Sequence, residues 1–461
     1  MQTESEKKAA KSGQDVQVVD KSFKQHVLYV QGTGSSESKG ITGAMSVWEF
    51  EWSPDATQLV IQASATPRTD DSYMFKRLYL VSRVDTGAPK RLTETNGKLG
   101  AMAWSPEGKN IAYLAGVDSS DPTAGSIFIV PAAGGAAKNL SDKFEGTVTG
   151  VDWLNANTLI FSATERSHTT LNTIPAEGGS LTRILPSGYG LGGPASFTND
   201  GKTFALSLHA YNHPNEVFVG DPATKKVTRL TNTNPDLDQM RFSGAKEIAW
   251  KARDGLEITG LLMLPHDFQT GKKYPCIVQV HGGHEFDDVI DGVDFLVQQG
   301  YVDPEAVGIG GFSYGGYFSA WAATRHTERF RAASMGAGIA NWISFTGTSD
   351  IPYENSMVHW NLDVYKNMPL AWERSPMAHV EKSQTALLIS HGDKDDRVPL
   401  GQGWEIYTAL KLLGKTVEFD IYPREAHGFS ERNHQLYSIR RNLEWFDKHV
   451  KSNANKTTLP N

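Results

Sequence analysis

With one cysteine in 461 residues, Cys276, the chain can form no internal disulfide, and that residue lies in the apolar run YPCIVQV, where a buried and unreactive thiol is expected. No apolar run approaches the ~20 residues that cross a bilayer. The first residues, MQTESEKKAAKSGQD, are charged but have no apolar stretch behind them, which does not make a secretory signal. As written the chain is expected in the cytoplasm, or in the periplasm or medium if its N-terminus is incomplete. An excess of positive charge is also lacking: 45 basic residues stand against 52 acidic ones, net -7, with no long basic run. Nucleic acid and an anionic membrane are therefore not expected partners. Composition leaves the oligomeric state open.

At 39% apolar content and this length the chain can bury two cores, so two domains are expected. Residues 45–243 show almost no helical periodicity. They run as short alternating segments divided by Gly, Asp, Asn and Pro, which reads as strands and tight turns. Four segments share a pattern: FEWSPDATQLVIQAS, MAWSPEGKNIAYLAG, VDWLNANTLIFSAT and ASFTNDGKTFALSLH. Their aromatics, Trp52, Trp104, Trp153 and Phe197, are spaced 52, 49 and 44 residues apart. A repeat of that length holding about four strands predicts β-propeller blades, here a short propeller of about four, with an irregular β-sandwich as the alternative. Residues 1–44 are an N-terminal segment whose stretch 16–31 is a candidate remainder of a preceding blade.

From residue 244 to 450 strands alternate with helices, as in an α/β domain with a mostly parallel sheet. The last helix, about 434–449, carries Leu436, Ile439, Leu443 and Phe446 at spacings of three and four and is expected to pack them on the sheet. The tail 451–461 is polar and expected to be disordered.

Gly311-Phe312-Ser313-Tyr314-Gly315-Gly316 follows the strand AVGIG and precedes a helix-forming run. That is the setting of a nucleophile elbow, in which the glycines allow a turn too tight for side chains and the Tyr314 N–H faces an oxyanion formed beside Ser313. A serine nucleophile needs a base and an orienting acid, in the order Ser, acid, His on this fold. HGDKDDRVP offers Asp393, Asp395 and Asp396, among which spacing cannot choose; PREAHGF offers His427. His391, His434, His326, His359 and His379 fit that order or loop less well.

These motifs are similar to those of the prolyl oligopeptidase family of serine peptidases, in the branch of acylaminoacyl peptidases and dipeptidyl-peptidase IV-like enzymes. The resemblance runs from Asp254 through KYP-x-x-V-x-V-HGG, GYVDPEAVGIGGFSYGGY, WERSP, HG-x-x-D-x-RVP and YPREAHGF. It implies a propeller followed by an α/β-hydrolase domain, a triad of Ser313, Asp395 and His427, hydrolysis of short peptides through an acyl-enzyme, and no cofactor. It further implies oxyanion donors at Tyr314 and at Gly282 and Gly283.

The stretch VQVHGGHEFDDVI crowds His281, His284, Glu285, Asp287 and Asp288 together, but offers no second histidine pair and no fixed face on which metal ligands would converge. By resemblance its HGG ends the oxyanion strand. Only 29 residues lie between Gly283 and Ser313, room for one helix and one strand. The family pattern places a further helix and a central strand there, on the order of 50 residues, so the expected peptidase could be impaired. A carboxylesterase with the same triad, or a non-catalytic propeller-bearing binding protein, are the alternatives.

Overall fold

The repeated aromatics are structural stitches. Trp104 donates its indole N–H to the Glu51 carbonyl (3.2 Å) and Trp153 donates to the Ala103 carbonyl (3.1 Å), each acceptor being the residue just before the preceding repeat's tryptophan. A hydroxyl follows the aromatic in three repeats and closes the turn behind it. Ser53 accepts from the Gln58 N–H, Ser105 from the Asn110 N–H and Thr198 from the Thr203 N–H, each five residues ahead. The hydroxyl after the aromatic therefore closes the hairpin, and the indole of Trp104 or Trp153 binds the preceding repeat.

The structure is a computed structural model describing residues 4–451 apart from 17, 20–22, 85–87, 187, 199 and 282–285. Of the predicted tail 451–461, Lys451 instead ends the helical turn Asp447–Lys451, and 452–461 lie outside the described residues. Two compact units are present, Met1–Ser162 with Asn172–Thr182, and Ala163–Leu171 with Arg183–Asn461. Successive antiparallel sheets begin at Ser46, Leu99, Thr147 and Gly190. The first three are four-stranded with neighbours in chain order, and the fourth is five-stranded.

The second unit carries the parallel sheet. Its strands are β3 (Tyr274–Val280), β4 (Val302–Phe312), β5 (Ala332–Gly336), β6 (Ala386–Gly392) and β7 (Val417–Tyr422), hydrogen-bonded in that order. Ahead of them β1 (Ala245–Lys251) and β2 (Glu257–Met263) form a separate antiparallel pair. Helices α1 (Phe286–Gln298), α2 (Tyr314–Arg325) and α3 (Gly401–Leu412) build one core around Val280, Ile290, Val293, Ile309, Phe318 and Ile406. Strands β5 and β6 are buried throughout, as short apolar runs covered on both faces require.

Helix α1 begins directly after the HGG stretch, with Phe286, Ile290, Val293 and Leu296 buried, as its periodicity predicts. Among the described residues β3 pairs only with β4, and neither β1 nor β2 pairs with it. The β1–β2 pair is held through α1. Trp250 donates to the Asp288 carbonyl (3.0 Å), and Arg253 pairs with Asp287 (2.8 Å) and Asp291 (2.9 Å).

The final helix α4 (Arg432–Phe446) corrects one expectation. Leu436, Ile439 and Leu443 do not pack on the sheet but are 40%, 59% and 64% exposed. The sheet-facing stripe is His434, Ser438, Arg441 and Trp445. The cause lies in β7, whose Glu418 and Asp420 meet Arg441; an apolar stripe there would leave the largely buried Asp420 carboxylate without a cation. Trp445, with Val450 and part of Phe446, fills the space over Ala306, Ala332, Ala386 and Leu388. Cys276 is half-buried rather than fully buried, and burial pushes its thiol up to about 11, which keeps it protonated.

Candidate active site

Ser313 sits between β4 and α2 with φ 61° and ψ -120°, left-handed backbone strained for a serine. Its glycine neighbours explain how the turn survives. A Cβ on Gly311 would stand 2.6 Å from Gly315 and from the Val280 carbonyl oxygen, and one on Gly315 only 2.3 Å from that oxygen. The Ser313 N–H donates to the Gly336 carbonyl (2.8 Å), tying the elbow to β5.

His427, on the loop after β7, reaches both partners. Its Nε2 lies 2.9 Å from Ser313 Oγ and its Nδ1 lies 2.8 Å from Asp395 Oδ2. Because a carboxylate accepts, Nδ1 carries the proton and Nε2 presents a lone pair to the Ser313 hydroxyl. Of the three candidate aspartates, only Asp395 is buried and bonded to His427. Asp393 instead accepts from the Arg424 N–H (2.6 Å), and the Asp396 carbonyl accepts from the Asp350 N–H (3.0 Å).

Burial alone would raise the Asp395 carboxyl, but the neighbouring His391 and the hydrogen bonds from His427 and from the Val398 N–H outweigh it and hold the group at about 2. Its Oδ1 accepts from the Arg397 and Val398 N–H groups (3.0 and 2.9 Å). The carboxylate is thus ionised and fixed at neutral pH.

Two residues with no assigned part in the sequence reading hold this arrangement. His391, fully buried, donates from Nε2 to the Val398 carbonyl (2.7 Å), with the same nitrogen 3.5 Å from Asp395 Oδ2. The spacing of four in His-Gly-x-x-Asp was the available signal. Glu425, 1% exposed, accepts from Ser430 N–H and Oγ–H (2.8 and 2.9 Å), Glu431 N–H (2.9 Å) and His434 Nδ1 (2.8 Å). The Ser430 N–H leads the interactions that hold its carboxyl at about 2. Its own carbonyl accepts from Lys394 N–H (2.9 Å), so Glu425 links the loop of His427 to that of Asp395. Its place in YPREAHGF, two residues before His427, was the available signal.

Tyr314 is the first residue of α2, where a backbone N–H has no carbonyl one turn back and the helix end favours negative charge. Its ring stacks on His359 (5.0 Å, 23°) and meets Phe318 and Trp342. Gly282 and Gly283, the other expected oxyanion residues, lie outside the described residues, as do His284 and Glu285. In the same stretch Asp287 is ion-paired to Arg253.

An elbow serine with a histidine and a buried aspartate at the C-terminal ends of parallel strands defines the α/β-hydrolase class of site. Residues 270–453 match the profile of the prolyl oligopeptidase family. The uncharacterized peptidase YuxL of Bacillus subtilis is 29% identical over 310 residues, 55% of this chain and 47% of YuxL. Dipeptidyl-peptidase 5 of Porphyromonas gingivalis is 22% identical, over 92% of this chain and 70% of its own length. The chain therefore spans about half of YuxL and less than three quarters of the second relative. Among solved structures, Pyrococcus horikoshii acylaminoacyl peptidase superposes with a TM-score of 0.74 at 21% identity, covering 90% of this chain and 72% of that one. Its likeness is one of fold.

Proposed function

We propose that the chain is a serine peptidase that hydrolyses short peptides through an acyl-enzyme. The observation that carries this reading is the hydrogen-bonded line from Ser313 through His427 to Asp395. Ser313 Oγ attacks the scissile carbonyl carbon as its proton passes to His427 Nε2. The Tyr314 N–H donates to the oxyanion, and Asp395 holds the imidazolium that has formed. His427 then returns the proton to the departing amine, leaving the acyl group on Ser313. A water molecule, deprotonated by the same nitrogen, releases the acid and restores the serine. No step in this scheme calls on a cofactor.

In this reading the sheets from Ser46 to Arg229 are the blades of a short propeller of about four, preceded by the segment 1–44, and residues 244–450 form the peptidase domain. The open edge of β3 adjoins the stretch that would supply a second oxyanion donor. Losing one such donor costs about 10² to 10³ in turnover, so slow hydrolysis is expected rather than none.

A panel of aminoacyl and N-acylaminoacyl p-nitroanilides beside p-nitrophenyl esters tests the substrate class. Expected is measurable, slow release from an anilide, removed by Ser313→Ala. Release from esters alone would replace peptidase by carboxylesterase.

A further inference from the structure

The motif Arg-Leu-Thr-x-Thr-Asn occurs twice, at 91–96 and at 229–234, each time running off the last strand of an antiparallel sheet. Strand register makes the two stretches equivalent. Arg91 stands opposite Tyr79 and Arg229 opposite Phe218, so Arg77 in the sheet that begins at Ser46 corresponds to Glu216 in the sheet that begins at Gly190. The two arginines behave alike. Arg91 Nε donates to the Thr93 carbonyl (3.4 Å) and its Nη2 meets Glu94 (2.8 Å), while Arg229 Nε donates to the Thr231 carbonyl (2.7 Å) and its Nη2 to Asn232 (2.9 Å). The threonines differ. Thr231 and Thr233 enclose the buried Glu216 carboxylate, which accepts from Thr231 Oγ1, from the Thr233 N–H (2.7 Å) and from Thr233 Oγ1 (2.8 Å), and pairs with Arg229 (3.1 Å). In the earlier copy Arg77 turns its Nη1 to the Met74 and Lys76 carbonyls (2.9 and 2.7 Å). Thr93 Oγ1 donates instead to the Gly135 carbonyl (2.8 Å), and Thr95 Oγ1, on a residue 7% exposed, has no hydrogen-bond partner among the described residues.

Thr95 lines a cleft of about 430 Å³, a size that suits a small molecule. Tyr113 and Phe128 line it as well, their rings stacked at 5.5 Å and 17°. Tyr113 is 1% exposed, and burial alone pushes its phenol up to about 12, with no hydrogen bond to offset it. A buried tyrosine hydroxyl normally finds a partner, so two hydroxyls of this cleft stand unused. Among the described residues lining it only Glu94 is charged, and that side chain is 81% exposed and neutralised by Arg91. Close by, burial and then the charge of Arg91 lower the half-buried Arg77, a pair of cations that a further carboxylate would relieve. We propose that this cleft binds a small carboxylate with a flat aromatic body, the carboxylate accepting from Thr95 as Glu216 accepts from Thr233 and the ring lying against Tyr113 and Phe128. The precedent is internal to the chain. One copy of the motif is closed by the protein's own carboxylate, and the other is open to one from solution.

Calorimetric titration of the full chain with phenylacetate, and with phenylacetamide as its uncharged counterpart, tests this independently of any hydrolysis. Expected is saturable binding of phenylacetate, about tenfold weaker for phenylacetamide, about tenfold weaker in Thr95→Val and in Tyr113→Phe, and unchanged in Ser313→Ala. Because neither hydroxyl holds another group, both variants should keep the wild-type unfolding midpoint. Arg77→Glu should fill the site from within, as Glu216 does, and abolish binding. No binding at millimolar phenylacetate would overturn the proposal, as would equal affinity for phenylacetamide. So would binding that Thr95→Val and Tyr113→Phe leave intact, which would place the ligand elsewhere in the chain.

Discussion

Asp395→Asn is expected to lower kcat/KM by about 10⁴ without unfolding the protein. The size follows from hydrogen-bond direction rather than from lost charge alone. In the variant the side-chain carbonyl oxygen can still accept from Arg397 and Val398, whose N–H groups in the wild type donate to Oδ1 of Asp395 (3.0 and 2.9 Å), so the loop keeps its anchor. The new amide then points toward His427 and donates to Nδ1. That forces the proton onto Nε2, where it faces Ser313 at 2.9 Å and cannot accept the hydroxyl proton. Because the wild-type carboxyl is held at about 2, it remains ionised from about pH 4 to about pH 9. An acidic limb of the rate profile in that range therefore does not report Asp395. Steady-state kinetics beside a thermal unfolding curve check the substitution. A loss below tenfold in a folded variant would remove Asp395 from the proposed role.

Gly315→Ala is expected to cost about 3 kcal/mol of stability, at the upper end for overpacking, and to remove hydrolysis with it. The added Cβ would stand 2.3 Å from the Val280 carbonyl oxygen and 3.1 Å from its carbon, both backbone atoms between adjacent elements. Neither can turn aside as a flexible side chain would, so α2 must lift from β3. Lifting the helix displaces Ser313 and the Tyr314 N–H together. Gly401→Ala, at the start of α3 with nothing within 4 Å of its Cβ, serves as the control and should be close to neutral. Equal denaturation midpoints for the two variants would contradict the close-approach explanation of the elbow.

The elbow was the most legible part of the sequence, because the clash that demands glycine at 311 and 315 is local to one turn. The acid was less legible. Asp393, Asp395 and Asp396 share one loop and one chemistry, and what separates them is which one faces His427, 32 residues away. His391 was weighed only as a base and Glu425 was given no part, because their work is to hold other side chains, through contacts that leave no periodic mark. The α4 stripe shows how periodicity misleads. Spacings of three and four identified the helix, but the inward face was decided by Glu418 and Asp420 on β7, which required Arg441 instead of leucine. The one helix and one strand between Gly283 and Ser313, by contrast, were legible from the length of that stretch, and α1 and β4 occupy it. The repeat was readable as well, since Trp104 and Trp153 each perform the same bond one sheet along.

Everything proposed for the site depends on Ser313 being a nucleophile activated by His427. Labelling of the folded full chain with a fluorophosphonate probe, followed by peptide mapping, measures that property without needing the natural substrate. Expected is stoichiometric modification at Ser313, abolished in Ser313→Ala and strongly slowed in Asp395→Asn. Absence of labelling in folded protein, or equal labelling of Ser313→Ala, would contradict it.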